Sequence, residues 1–157
     1  MFNGKLSRLL CVAVLAMTLG LSGCVTGPDG VKAPDYVMVE FASTLAFTVI
    51  VNETEVSPAA VVRAYEGLSV LENTLTTGTQ ALDLTMIDAM LANAVPVEYS
   101  ALASTGSKLI RSRVRQYMDV KLPENPLTES EVTVKMSLAV VQGAKAALAP
   151  AYNAITK

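Results

Sequence analysis

Lys108, Arg111 and Arg115 recur at spacings of three and four, so a helix through them carries three cations along one side and sets Arg113 on another. Such a stripe suits phosphate or carboxylate groups, which guanidinium and ammonium meet with charge-assisted hydrogen bonds. The competing role is a solvated face that balances the chain's own acids, because charge runs on helices are ordinarily wet. Nucleophilic chemistry has less to work with. The sequence holds no histidine and two cysteines, Cys11 and Cys24; this removes Ser-His and Cys-His systems and denies zinc its preferred imidazole and thiolate ligands. Ser104-Thr105-Gly106-Ser107-Lys108 lacks the G-x-x-x-x-G-K-[ST] pattern and the S-x-x-K spacing, and its small residues suit close helix contact. Asp83 and Asp88 stand five apart, out of line on a helix, while Glu53 and Glu55 fall in a loop and Glu129 and Glu131 suit capping. The expectation is a non-enzymatic protein with no metal and no organic cofactor.

Cys24 is the remaining reactive group, and its surroundings are unlike those of a core thiol. Lys5 and Arg8 precede an uncharged run from Leu9 to Leu21, 13 residues that are too few for an ordinary membrane-spanning helix of roughly 17–25. A positive segment followed by a short apolar one is the pattern of a secretory signal. No A-x-A-like cleavage site follows; Leu21-Ser22-Gly23-Cys24 stands there instead and resembles the lipobox of bacterial lipoprotein precursors. The resemblance covers about the first 24 residues. It implies diacylglycerol on the Cys24 thiol, cleavage before Cys24, and an N-acyl chain such as palmitate on the new amino terminus. It also implies that Val25, where many inner-membrane-retained lipoproteins have Asp, directs the protein of a Gram-negative source to the periplasmic face of the outer membrane.

The resulting division is a signal peptide over 1–23, a lipidated amino terminus and linker over 24–34, and one domain over 35–157. Gly27, Pro28, Gly30 and Pro34 favour turns and extended chain in the linker. With Cys11 removed and Cys24 acylated, no disulfide is available, and stability must come from packing. Beyond residue 23 the chain carries ten basic and fourteen acidic side chains. Ten of the acids lie between Asp29 and Glu98 against only Lys32 and Arg63, whereas Lys108, Arg111, Arg113, Arg115 and Lys121 gather around Asp119.

Every long segment has helical period, so the expected fold is all-α, a single compact bundle of about five helices with antiparallel neighbours. Asp35 to Val51 is the first, with Val37, Met38, Phe41, Leu45, Val49 and Ile50 expected inside and Glu40, Ser43, Thr44 and Thr48 outside. Ser57-Pro58 starts the second, whose stripe is Val61, Ala64, Tyr65, Leu68, Leu71 and Leu75, and Thr76-Thr77-Gly78 ends it. Asp83 to Ala94 buries Leu84, Ile87, Leu91 and Ala94 and stops at Pro96; Glu98 to Val120 buries Tyr99, Leu102, Ala103, Ile110, Val114, Tyr117 and Met118. Pro123 and Pro126 bracket a break. The box Thr128-Glu129-Ser130-Glu131 opens the fifth helix, which turns Val132, Met136, Ala139, Val140, Gly143 and Ala147 inward and stops before Pro150, with one further turn in the tail.

Function is read less directly. Surface confinement by lipid lets a weak contact act at high effective concentration, and Lys108, Arg111 and Arg115 are the candidate contact for an anionic partner: an envelope protein, peptidoglycan or anionic lipid. Nucleic acid is excluded by the acidic balance, the exported location and the absence of aromatic residues interleaved with the cations, Tyr117 apart. Two alternatives stand. Phe41, Phe47, Met38, Met86, Met90, Met118 and Met136 would line an adaptable cavity for lipid or a small ligand, although a bundle poor in aromatics needs them as core. A phage- or plasmid-borne surface-exclusion or immunity-type lipoprotein fits the same features.

Overall fold

The computed structural model describes residues 24–26, 32–78, 81–119 and 127–157. The expected signal segment 1–23, residues 27–31, and Lys121, Pro123 and Pro126 lie outside the described residues. The linker's flanks form a two-stranded antiparallel hairpin, β1 (Cys24–Thr26) with β2 (Lys32–Pro34), in the register Cys24↔Pro34, Val25↔Ala33 and Thr26↔Lys32. The expected extended chain is present, and it folds back on itself. Cys24 is therefore brought beside Pro34, at the entrance to the helical domain.

Five α-helices follow: α1 (Tyr36–Glu53), α2 (Pro58–Thr77), α3 (Leu84–Ala94), α4 (Ser100–Asp119) and α5 (Glu129–Thr156), with a 3-10 turn at Val97–Tyr99 leading into α4. Their starts are chemical. Asp35, Ser57 and Asp83 accept the backbone N–H groups of Met38, Ala60 and Met86 at 3.0, 3.3 and 2.8 Å, each satisfying a donor that the first turn leaves open. At α5 the capping box is complete: Thr128 Oγ1 accepts the Glu131 N–H at 3.2 Å, and Glu131 Oε2 accepts the Thr128 N–H at 2.7 Å. The Thr128 N–H, together with the Thr128 hydroxyl donating to Glu131 Oε2 at 2.9 Å, holds the Glu131 carboxyl below the usual carboxylate range.

Helix α5 is the centre of the bundle. At 28 residues it is about 42 Å long, and α1, α2 and α4 all pack on it while α3 closes against α2 and α4. Its inward residues are those expected, Val132, Met136, Ala139, Val140, Gly143 and Ala147. Its end is not. The helix continues through Pro150 to Thr156 instead of stopping before it. Proline removes one backbone donor and crowds the preceding turn, but Pro150 is on the exposed side, and Ala151 and Tyr152 beyond it pack on the core. Tyr152 stacks on Tyr65 of α2 with ring centroids 4.1 Å apart, which holds the last turns in place.

Helix α1 is turned relative to the expected orientation. Val39, Ala42, Ser43 and Phe47 are buried, whereas Val37 and Phe41 are 74% and 51% exposed. The cause is its partner. A Cβ on Gly143 would lie 2.6 Å from both the Glu40 carbonyl oxygen and the Ser43 Cβ, and 2.9 Å from the Thr44 nitrogen. The two backbones thus meet across Gly143, and only small side chains on α1 fit there. Ser43 meets burial by donating its hydroxyl to the Val39 carbonyl at 2.6 Å, so no polar group is left unpaired.

The core is continuous from α1 to α5 and includes Phe47, Leu68, Leu91, Tyr99, Leu102, Ile110, Met136 and Val140. Of the residues weighed as cavity lining, Phe47 and Met136 are buried, Met38 and Met90 are half-buried, and Phe41, Met86 and Met118 are exposed. Met118 does not join the buried side of α4; it is 37% exposed. A Cβ on Gly67 would strike the Ala94 carbonyl, making α2–α3 a second place where backbones touch.

Tyr36 begins α1 with its hydroxyl buried and without a hydrogen-bond partner among the described residues. Burial pushes its pKa up to about 12, with Tyr117 and Glu131 adding to the rise. A raised phenol favours the folded protein's protonated form, so its contribution is intact below the ordinary value of about 10 and is lost as pH climbs toward 12. Urea midpoints are expected to stay level up to about pH 10 and then fall, more steeply in the parent than in Tyr36→Phe. Equal slopes in the two proteins would show that Tyr36 does not couple to folding.

Candidate functional site

Helix α4 carries the candidate cations. Gly106, Ile110 and Val114 face the core, which turns Lys108, Arg111 and Arg115 outward together, all exposed. Arg113 lies off the stripe, half-buried, and its Nη1 donates to Gln116 Oε1 at 2.8 Å. The expected spacing therefore produces the expected face.

The three cations are not equivalent. Arg111 reaches across to α3, where its Nε donates to Asp88 Oδ2 at 3.0 Å and its Nη2 pairs with the same oxygen. The pair is partly open to water, with side-chain exposures of 49% and 27%, so it contributes little stability. It nevertheless occupies the guanidinium. Among the described residues no ion pair engages Lys108 or Arg115, and these two offer the stripe's uncommitted charge.

A cleft of about 430 Å³ opens beside the Arg111–Asp88 pair, between α3 and the start of α4, and Asp88, Val97, Ser100, Ser104 and Ser107 line it. The small residues of the Ser104–Ser107 stretch thus border a groove as well as a helix contact. For Gly106 the contact is loose: a Cβ there would meet Val140, Phe47 and Leu91 at 3.4–3.7 Å. Asp88 Oδ1 is enclosed without a partner. No hydrogen bond among the described residues links Asp88 to Ser100, Ser104 or Ser107, so serine and carboxylate stand side by side without forming a nucleophile–base pair. Asp83, weighed with Asp88 for acid–base work, instead caps α3. Among the described residues no group of three or more metal-ligating side chains assembles.

A second polar cluster joins α2 to α5. Glu72 Oε2 pairs with Lys145 Nζ at 2.5 Å, Gln142 Nε2 donates to Glu72 Oε1 at 3.1 Å, and the same ammonium lies 5.3 Å from the Tyr65 ring centre. The hydrogen bond from Lys145 holds the Glu72 carboxyl below the usual carboxylate range. This cluster fastens two helices.

Sequence spacing located the stripe and missed both cross-helix partners. Asp88 lies 23 residues from Arg111, and Glu72 lies 73 from Lys145; no local periodicity links residues on different helices. At the other end of the chain, β1 sets the Cys24 backbone against Pro34. No family model, curated protein or solved structure matches the chain.

Proposed function

We propose that this chain is a bacterial lipoprotein, non-enzymatic, whose Cys24 lipid holds an all-α interaction domain at the periplasmic face of the outer membrane of a Gram-negative cell. The observation that carries the reading is the order Lys5, Arg8, uncharged Leu9–Leu21, Leu21-Ser22-Gly23-Cys24. Diacylglycerol and an N-acyl chain together supply the two or more hydrophobic anchors that stable attachment needs. The domain then meets an anionic envelope component, protein, peptidoglycan or lipid, through Lys108 and Arg115. Arg111 supports that face from its pair with Asp88 and contributes less to the contact.

The anchor is tested by expressing the full chain in a Gram-negative host and comparing it with Cys24→Ala. The parent is expected in the membrane fraction, with an acylated amino-terminal peptide by mass spectrometry. Cys24→Ala is expected to lose at least about tenfold of its membrane-bound fraction, given the two-chain anchor it lacks. The contact is tested by crosslinking in the envelope with Lys108→Glu combined with Arg115→Glu, two exposed positions that no ion pair engages among the described residues, with the variant's thermal melt compared with the parent's. Loss of one or more crosslinked species is the expected result, and an unchanged crosslink pattern counts against these residues.

A further inference from the structure

Helix α1 leaves an apolar stripe uncovered. Val37, Phe41 and Leu45, spaced by four, are 74%, 51% and 36% exposed, and they run about 12 Å along the helix. The charged residues of α1 itself are Glu40, half-buried, and Glu53 at the far end; beside Val37, Glu40 and the exposed Lys135 of α5 line a shared cleft and set a charged border at that end of the stripe. The hydroxyls nearest the stripe are turned onto the helix itself. Thr44 donates to the Glu40 carbonyl at 2.9 Å and Thr48 to the Thr44 carbonyl at 2.7 Å, so that face presents carbon without open donors. Contiguous apolar surface of this kind marks a contact with something other than water.

The hairpin register says what lies nearest. Cys24 pairs with Pro34, and paired strand residues have Cα atoms within about 5.5 Å. Two further residues lead from Pro34 to Tyr36, each adding at most about 3.8 Å. The Cys24 backbone therefore stands within about 13 Å of the first residue of α1, and the stripe begins at the next residue. Without the hairpin, eleven intervening residues could carry the anchor much farther away.

We propose that the Val37–Phe41–Leu45 face of α1 seats in the headgroup–acyl boundary of the bilayer to which Cys24 is fastened. The inference rests on the lipoprotein reading for the anchor and adds a second point of attachment. Lipid at Cys24 raises the local concentration of the stripe at the surface, and burial of the three side chains adds apolar area to the interface. Two attachment points fix the domain's tilt where a tether alone leaves it free.

Tryptophan provides the test, because the chain contains none. The full-length Phe41→Trp protein is reconstituted into vesicles of phosphatidylethanolamine and phosphatidylglycerol with and without brominated phosphatidylcholine, and the amino-terminal peptide of the same sample is weighed. Leu45→Trp is the second stripe variant. Glu66→Trp is the control, exposed on α2, which packs on α5 rather than on α1. The expected result is emission quenched about twofold by brominated lipid at positions 41 and 45, as for side chains at the acyl boundary, and unchanged emission at 66. Acylated Cys24 with unquenched stripe variants overturns the surface contact and leaves the anchor standing. Blue-shifted emission without a response to bromine means that protein, such as a second copy, covers the stripe, and overturns it equally. A free Cys24 thiol overturns the anchor and this inference together.

Discussion

Gly143→Ala is expected to destabilise the protein by about 2 kcal/mol, although alanine is the better helix former. Replacing glycine within a helix ordinarily gains about 1 kcal/mol. Here the new methyl group would lie 2.6 Å from the Glu40 carbonyl oxygen and from the Ser43 Cβ. Backbone atoms of α1 cannot rotate away as a side-chain tip can, so α1 must lift from α5 along part of its length. Overpacking of this kind costs about 3 kcal/mol at the upper end of its usual range, and the cost exceeds the propensity gain. For a domain of this size the difference lowers Tm by about 7 °C. Gly106→Ala is the matched comparison, because its Cβ would meet side-chain atoms at 3.4–3.7 Å. Propensity then decides, and that variant should gain up to about 1 kcal/mol. Thermal melts of the two variants should move in opposite directions; a Gly143→Ala protein as stable as its parent would show that α1 and α5 do not meet backbone to backbone.

The second large effect separates two phenylalanines six residues apart on α1. Phe47 is completely buried, beside the position of Gly106, and Phe47→Ala is expected to lose about 3–5 kcal/mol by transfer and cavity terms together. That is about a fifth or more of the roughly 5–15 kcal/mol that a domain has in total. Phe41 is 51% exposed, and Phe41→Ala should change stability in solution by no more than about 0.5 kcal/mol. Urea midpoints of the two single variants give the comparison directly. A reversal, with Phe41→Ala the costlier change, would restore the orientation of α1 that periodicity suggests and would remove the exposed stripe on which the bilayer contact depends.

The two results bear on each other through the same rotation of α1. Gly143 meets α1 at Glu40, Ser43 and Thr44, and that rotation places Phe47 inward and Val37, Phe41 and Leu45 outward. A variant that widens the α1–α5 gap therefore disturbs both the core at Phe47 and the presentation of the stripe. The membrane test uses substitutions on the outward side alone, where α5 is not touched.

By itself the sequence determined what is local. Caps at Asp35, Ser57, Asp83 and Thr128 use side chains within three residues of the donors they satisfy, so short-range chemistry placed the helix starts. The stripes of α2, α3 and most of α4 were legible because polar residues alternate with apolar ones at helical period. The Lys108–Arg111–Arg115 face was legible for the same reason, whereas the lipobox resemblance of Leu21–Cys24 rests on contiguous order and carries the proposed anchor. Helix α1 offered no such contrast. It is apolar almost all round, and with Glu40 and Glu53 as its charges periodicity could not choose a face. That choice belonged to the tertiary structure, through the close approach at Gly143. Likewise Pro150 marked a helix end by its own geometry, yet Tyr152 stacking on Tyr65 carried α5 past it. The partners of Arg111 and Lys145, and the return of Cys24 to Pro34, were decided there too. Each depends on how separate elements rotate and pack against one another, and that is set by the fit of surfaces far apart in the chain.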